Sequence, residues 1–149
     1  MEKYIVNTIE IQATPEAVWD ALVNPEKTKI YMFGCATVSD WQEGSTLLWQ
    51  GSYEGKEMVF VKGFIIKIEA PYLLEYSVFD PNSTMEDVVA NYLHVTYKLA
   101  ANGYTTLLTV TQGDYTTVAD GERRYNESSN NGEGWNPILQ AIKQLVEQA

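Results

Sequence analysis

The residues able to do chemistry are few and scattered. His94 is the only histidine and Cys35 the only cysteine. A Ser-His or Cys-His pair would have to use His94 as its base. Strand alternation puts His94 on the parity opposite to Val95 and Tyr97, on the outer face of a sheet. Cys35 lies between Gly34 and Ala36, with Lys27 and Lys29 the only cations close in sequence. A thiolate needs a cation or a helix N-terminus beside it, so Cys35 reads as a small buried residue. One histidine and one cysteine do not make a zinc site, and one cysteine makes no internal disulfide. We expect no metal and no cofactor. Glu86, Asp87 and Asp114 stand next to strand ends, where a desolvated carboxylate could act as a general base. No spacing pairs any two of them, and they read as solvated loop charges. Gly51-Ser52-Tyr53-Glu54-Gly55-Lys56 is one residue short of a phosphate loop, lacks the hydroxyl residue after the lysine and joins two strands. It reads as a hairpin turn. Asn82-Ser83-Thr84 and Asn126-Glu127-Ser128 match the glycosylation spacing by chance.

What remains is recognition of apolar surface. The chain has 10 Tyr, 4 Trp and 4 Phe, whose large apolar bodies and polar tips suit pocket walls as well as cores. Trp49, Tyr53, Tyr76, Tyr97 and Leu108 fall on single parities of successive strands. Trp135, Leu139 and Ile142 fall on one stripe of a C-terminal helix. Val61 joins them, because Lys62 beside it should point outward, which sets Val59, Val61 and Ile65 inward. Tyr31 and Phe33 follow the first helices and would stand at an entrance. These eleven residues, Val59 and Ile65 aside, are the candidate ligand-binding set.

The elements that must position them follow from hydropathy patterning. Lys3–Gln12 reads as a strand. Thr14-Pro15-Glu16 and Asn24-Pro25-Glu26 are two helix starts in quick succession, each with a capping side chain, a preorganised proline and an acid in the first turn. Strands are then expected at 37–41, 46–53 and 58–68, followed by a strand carrying Leu74, Tyr76 and Val78. A polar loop spans 80–87. Leu93, Val95, Tyr97 and Leu99 alternate, Asn102-Gly103 is a hairpin turn, and Leu108 and Val110 return. Residues 116–134 are polar and read as irregular. Trp135, Ile138, Leu139, Ile142, Leu145 and Val146 mark an amphipathic helix. Asn136-Pro137 either begins that helix, or Pro137 kinks one that began earlier. The fold class is therefore α+β: one strand, two short helices, about six antiparallel strands and a long terminal helix covering their apolar face.

Composition sets the outer limits. A chain of 149 residues fits one domain, 1–149, and buries roughly 70% of its unfolded surface. The net charge is −10, and Arg123-Arg124 is the only adjacent basic pair. Nucleic acid and anionic membrane surfaces are poor partners for such a chain. No apolar run approaches the ~18 residues of a membrane span, and the opening residues lack the apolar core of a signal peptide. We expect a cytoplasmic protein with no membrane insertion. Whether it pairs with itself or with another protein is open.

Several of these residues also carry a family resemblance. The run Ile11 to Leu22 followed by Pro25, Ser39-Asp40-Trp41 with Gly44, Gly63 and Ile65 before Pro71 and Leu74, and Gly134-Trp135 with Leu139 together resemble the START-like, or SRPBCC, superfamily. The nearest branch is that of the homologues of the activator of the ninety-kilodalton heat-shock chaperone ATPase. The resemblance implies a helix-grip fold, a curved antiparallel sheet of six or seven strands around a long C-terminal helix. It also implies an apolar or aromatic small-molecule ligand, lipid-like or polyketide-like, in the cavity between them, with no covalent chemistry assigned. Two alternatives accompany it. One is a cyclase or dehydratase in the same cavity, with a carboxylate, a tyrosine or Gln112 projecting inward. The other is a chaperone-interacting protein, although the eukaryotic activators carry an additional N-terminal chaperone-binding domain.

Overall fold

Alternation of apolar residues decides the sheet. In the computed structural model, which describes residues 2–148, seven strands form: β1 (Ile5–Ile11), β2 (Ala36–Ser39), β3 (Thr46–Tyr53), β4 (Lys56–Glu69), β5 (Leu73–Val78), β6 (Leu93–Asn102) and β7 (Thr105–Gly113). They make one curved antiparallel sheet in the order β1-β7-β6-β5-β4-β3-β2. Leu93, Val95, Tyr97 and Leu99 on β6 are all buried, and so are Leu108 and Val110 on β7. Their neighbours on the opposite parity face solvent, His94 among them, 3.3 Å from the carboxylate of Glu75.

Long β4 departs from strict alternation. Trp49 pairs with Val61 but Gln50 pairs with Val59, so Phe60 is an extra, bulged residue. A bulge of this kind reverses side-chain parity beyond it. Val61 shares the inner face with Trp49, whereas Val59 shares the outer face with Gln50, against the expectation that Val59 and Val61 both turn inward.

Among the described residues, four α-helices pack on the sheet. α1 (Pro15–Val23) and α2 (Pro25–Tyr31) start where the sequence placed them. The Thr14 hydroxyl accepts from the Ala17 amide at 3.2 Å, and the Asn24 side chain accepts from the Glu26 amide at 3.0 Å. α4 (Asn136–Glu147) begins with Pro137 in its first turn, so the proline opens the helix rather than kinking it. Its buried stripe of Leu139, Ile142 and Val146 rests against β1 and α1. A further helix, α3 (Gly121–Ser129), occupies the stretch read as irregular. It buries no residue completely, so no apolar stripe announced it. Its signal is in charge and size instead. Arg123 bridges Asp120 and Glu127 at helical spacing. Gly121, Arg124, Tyr125 and Ser128 make the half-buried face.

Candidate functional site

α4 covers only part of the sheet, and the rest is left over a cavity of about 450 Å³. Strands β3 to β7 form its floor through Trp49, Phe60, Val61, Tyr76, Leu93, Val95 and Gln112. The connection after α2 supplies Met32, Phe33 and Cys35 on one side. Arg124, Glu127 and Ser128 of α3 stand on the other, and Trp135, just before α4, completes the wall. The lining is apolar over most of its area and polar where β7 and α3 meet it, the usual make-up of a small-molecule site.

The eleven candidate residues divide by position. Phe33, Trp49, Val61, Tyr76 and Trp135 line the cavity. Tyr31, Tyr97, Leu108, Leu139 and Ile142 are buried in the core and do not line it. The Tyr31 hydroxyl donates to the Ala21 carbonyl at 2.7 Å, which commits it to tying α2 onto α1. Tyr97 lies behind the wall, edge-on to both Tyr76 and Trp135. Leu108, Leu139 and Ile142 fill the space under α4, because that helix lies directly on the β1 side of the sheet. Tyr53 shares parity with Trp49, but it pairs with Lys56 at the tip of the hairpin, beyond the core, and is 57% exposed.

Polar groups inside the lining are largely committed. The Tyr76 and Tyr97 hydroxyls bond each other at 2.7 Å, fully buried, and burial pushes both phenols up. Trp135 Nε1 donates to Gln112 Oε1 at 2.7 Å. An indole N–H can only donate, so this bond fixes the amide orientation and leaves the Gln112 NH₂ as the free end. Burial pushes the Cys35 thiol up, against nucleophilic use. No imidazole enters the cavity, since His94 sits on the outer face. The acids Asp80 and Glu127 at its edge are solvent-exposed. Of the groups that a cyclase would need, Gln112 lines the cavity with one end of its amide uncommitted, Tyr76 lines it with its hydroxyl bonded to Tyr97, and the carboxylates of Asp80 and Glu127 stand at its exposed edge.

Sequence reasoning missed Arg124, Ser128 and Phe60. The first two belong to the unrecognised helix α3, and the third is turned by the bulge. α3 is fixed through its first turn. Gly121 abuts Tyr115, whose carbonyl would lie 1.8 Å from a Cβ at that position. The Arg124 guanidinium donates to the Asn91 carbonyl at 3.0 Å. Asn91 in turn accepts from the Ala119 amide and donates to the Glu86 carbonyl. The loop before β6, the segment after β7 and α3 are thereby joined at one residue. Among the described residues there is no cluster of potential metal ligands and no helix long and apolar enough to cross a membrane.

Comparison with known proteins places this geometry. The family described as activator of Hsp90 ATPase homolog 1-like protein matches residues 12–147. The solution structure of ChR145 from Cytophaga hutchinsonii is 36% identical, with 99% of this chain and 97% of that one covered at a TM-score of 0.74. A Plasmodium falciparum protein described as an HSP90 activator shares the fold at 16% identity, covering 96% and 95% of the two chains at a TM-score of 0.67. CalU16 from Micromonospora echinospora shares it at 19% identity, covering 97% and 66% at 0.67. No match was found among curated proteins.

Proposed function

The chain belongs to the family of activator of Hsp90 ATPase homolog 1-like proteins, and within it we propose that this member binds an apolar or aromatic small molecule in the cavity between the sheet, α3 and Trp135. The carrying observation is the cavity itself. About 450 Å³ stays open in a domain whose neighbouring core is fully packed, and interiors ordinarily hold few voids larger than a water molecule. Aromatic and aliphatic side chains make most of the lining, burial pushes the Cys35 thiol in it up, and the carboxylates of Asp80 and Glu127 stand at its solvent-exposed edge. Binding without covalent chemistry is what such a lining supports.

The test is a thermal-melting screen against fatty acids, sterols, flavonoids and aromatic polyketides, with the wild type beside Val61→Trp, which fills the cavity from the floor. A ligand at ~100 times its dissociation constant adds roughly 2.7 kcal/mol, a rise of roughly 5–10 °C for a domain of this size. The expected result is a shift with at least one class that the variant loses while its own unliganded midpoint stays near that of the wild type. No shift with any class would count against the reading. Interaction with the chaperone is the second reading, and family membership supports it. It would show as a changed chaperone ATPase rate on mixing.

A further inference from the structure

We propose that the occupant of this cavity is a monocarboxylate with an apolar or aromatic body, its carboxylate held between Arg124, Ser128 and Gln112 beside the Tyr115 hydroxyl. The inference rests on the cavity-binding reading and adds the chemical class of the ligand.

Four observations meet at one end of the cavity. Among the described residues, Arg124 is the one cation in the lining. Its described hydrogen bonds run from a single terminal nitrogen to the carbonyls of Asn91 and Ala119, at 3.0 and 3.4 Å. A guanidinium has five donors in a rigid fork, and among the described residues no carboxylate lies within ion-pair distance of this one. Its neighbour Arg123, facing away, is paired with both Asp120 and Glu127. The cation turned toward the cavity is the unpaired member of the pair. Burial works against its charge, a cost that an anionic guest would offset.

The second observation is Tyr115. Its ring is 2% exposed and its hydroxyl is buried without a hydrogen bond. A buried hydroxyl left unpaired is costly, and such groups call for an explanation. Ser128 and Gln112 are close enough to the Tyr115 hydroxyl to act on it as hydrogen-bonding groups without meeting hydrogen-bond geometry; both line the cavity, and Tyr115 stands behind them. Third, the Gln112 amide is fixed by Trp135 with its NH₂ end uncommitted. Fourth, Ser128 presents a hydroxyl from the same helix face as Arg124, one turn on. A forked cation, an amide donor and the Ser128 hydroxyl in the lining, with the Tyr115 hydroxyl behind them, suit an acceptor with two oxygens, and bidentate recognition of carboxylate is what a guanidinium does best. The acids nearby do not cancel this. Glu127 is engaged by Arg123 at 2.9 Å and exposed, and Asp80 stands exposed at the edge. The net charge of −10 acts at long range, where salt screens it beyond about 8 Å.

The experiment compares head groups on a fixed body. Decanoate is titrated against decanol, and naphthoate against naphthol, at pH 7, with affinity read from tryptophan fluorescence of Trp49 and Trp135. The proteins are wild type, Arg124→Gln, Arg124→Lys and Tyr115→Phe, each checked for an unchanged melting midpoint. The wild type should prefer the acid of the better-fitting pair by about tenfold or more. Arg124→Gln should erase that preference and leave the alcohol's affinity within about twofold. Arg124→Lys should retain part of it, and Tyr115→Phe should lower it severalfold. Equal or tighter binding of the alcohol by the wild type, or an acid preference that survives Arg124→Gln, would overturn the proposal and leave the cavity reading standing. Failure of all four probes to bind would overturn both. A midpoint lowered by Arg124→Gln would make Tyr115→Phe the deciding variant.

Discussion

At the scale of single residues, Phe33 is the least expected. It is 87% exposed at the edge of the cavity, and its backbone is left-handed, with φ of 54°. A bulky residue in that region costs roughly 1–2 kcal/mol, and strain of this kind collects at functional sites. An exposed ring contributes little packing in return, so its value must lie in what enters beside it. Phe33→Gly removes both the strain and the ring. The expected outcome is a melting midpoint equal to or above that of the wild type, by up to about 1 kcal/mol, since glycine's backbone entropy offsets part of the gain. Ligand affinity should fall, because the ring at the cavity edge is lost. A midpoint several degrees lower would show that the ring stabilises the fold instead. Trp49, Val61, Tyr76 and Trp135 were legible as lining because strand parity and the helix stripe aim them inward. Tyr97 and Leu108 have the same parity but lie where α4 closes over the sheet. Parity gives the face of a residue, and its distance along the sheet decides between wall and core.

The element that matters most is α3. Hydropathy does not reveal it, because its inward face is Gly121, Arg124, Tyr125 and Ser128, where Arg and Ser are ordinarily solvent-facing and Gly presents no side chain. The strands and α1, α2 and α4 were legible for the opposite reason, since each buries a continuous apolar stripe. α3 is held instead by specific contacts: the Tyr115 carbonyl against Gly121, Arg124 on Asn91, and Tyr125 between the Tyr115 ring and the Lys3 ammonium. An element that buries no side chain completely adds little to global stability and opens locally at low cost. Gly121→Ala places a methyl group on the Tyr115 carbonyl and must displace the start of the helix. Amide exchange over 121–129 should then accelerate tenfold or more, with exchange in β6 and β7 unchanged and ligand affinity reduced. Faster exchange spread evenly over the sheet would mean that α3 supports the core and is not a separable cover.

For the whole molecule, the balance of charge turns on how the chain's remote segments are tied together. Asp114 accepts from the Thr116 amide and hydroxyl and from the Lys3 amide, each at 2.7–2.9 Å. These bonds, that from the Thr116 amide foremost, hold its carboxyl below the ordinary range. Glu147 accepts from the Gln12 amide at 2.8 Å and from Lys143 at 2.6 Å, and is lowered in the same way. One carboxylate pins the strap after β7 to the segment before β1, and the other pins the end of α4 to the segment after β1. A carboxyl whose pKa is lower in the folded state than in the unfolded one contributes stability above the unfolded value, about 4. That contribution is lost as pH falls through the folded value. The wider charge acts in the opposite sense over part of the range. A chain with net charge −10 at neutral pH and a pI near 4.4 loses self-repulsion as pH falls from 7 toward 4.4. The two effects separate in a difference measurement, because Asp114→Asn and Glu147→Gln change the net charge by only one each. Both variants should melt below the wild type at pH 7. Their deficits should persist to about pH 4 and shrink toward zero below it, as the wild-type carboxyls also become neutral. A deficit that stays constant down to pH 2 would assign the stabilisation to the shape of the two side chains and not to their charge.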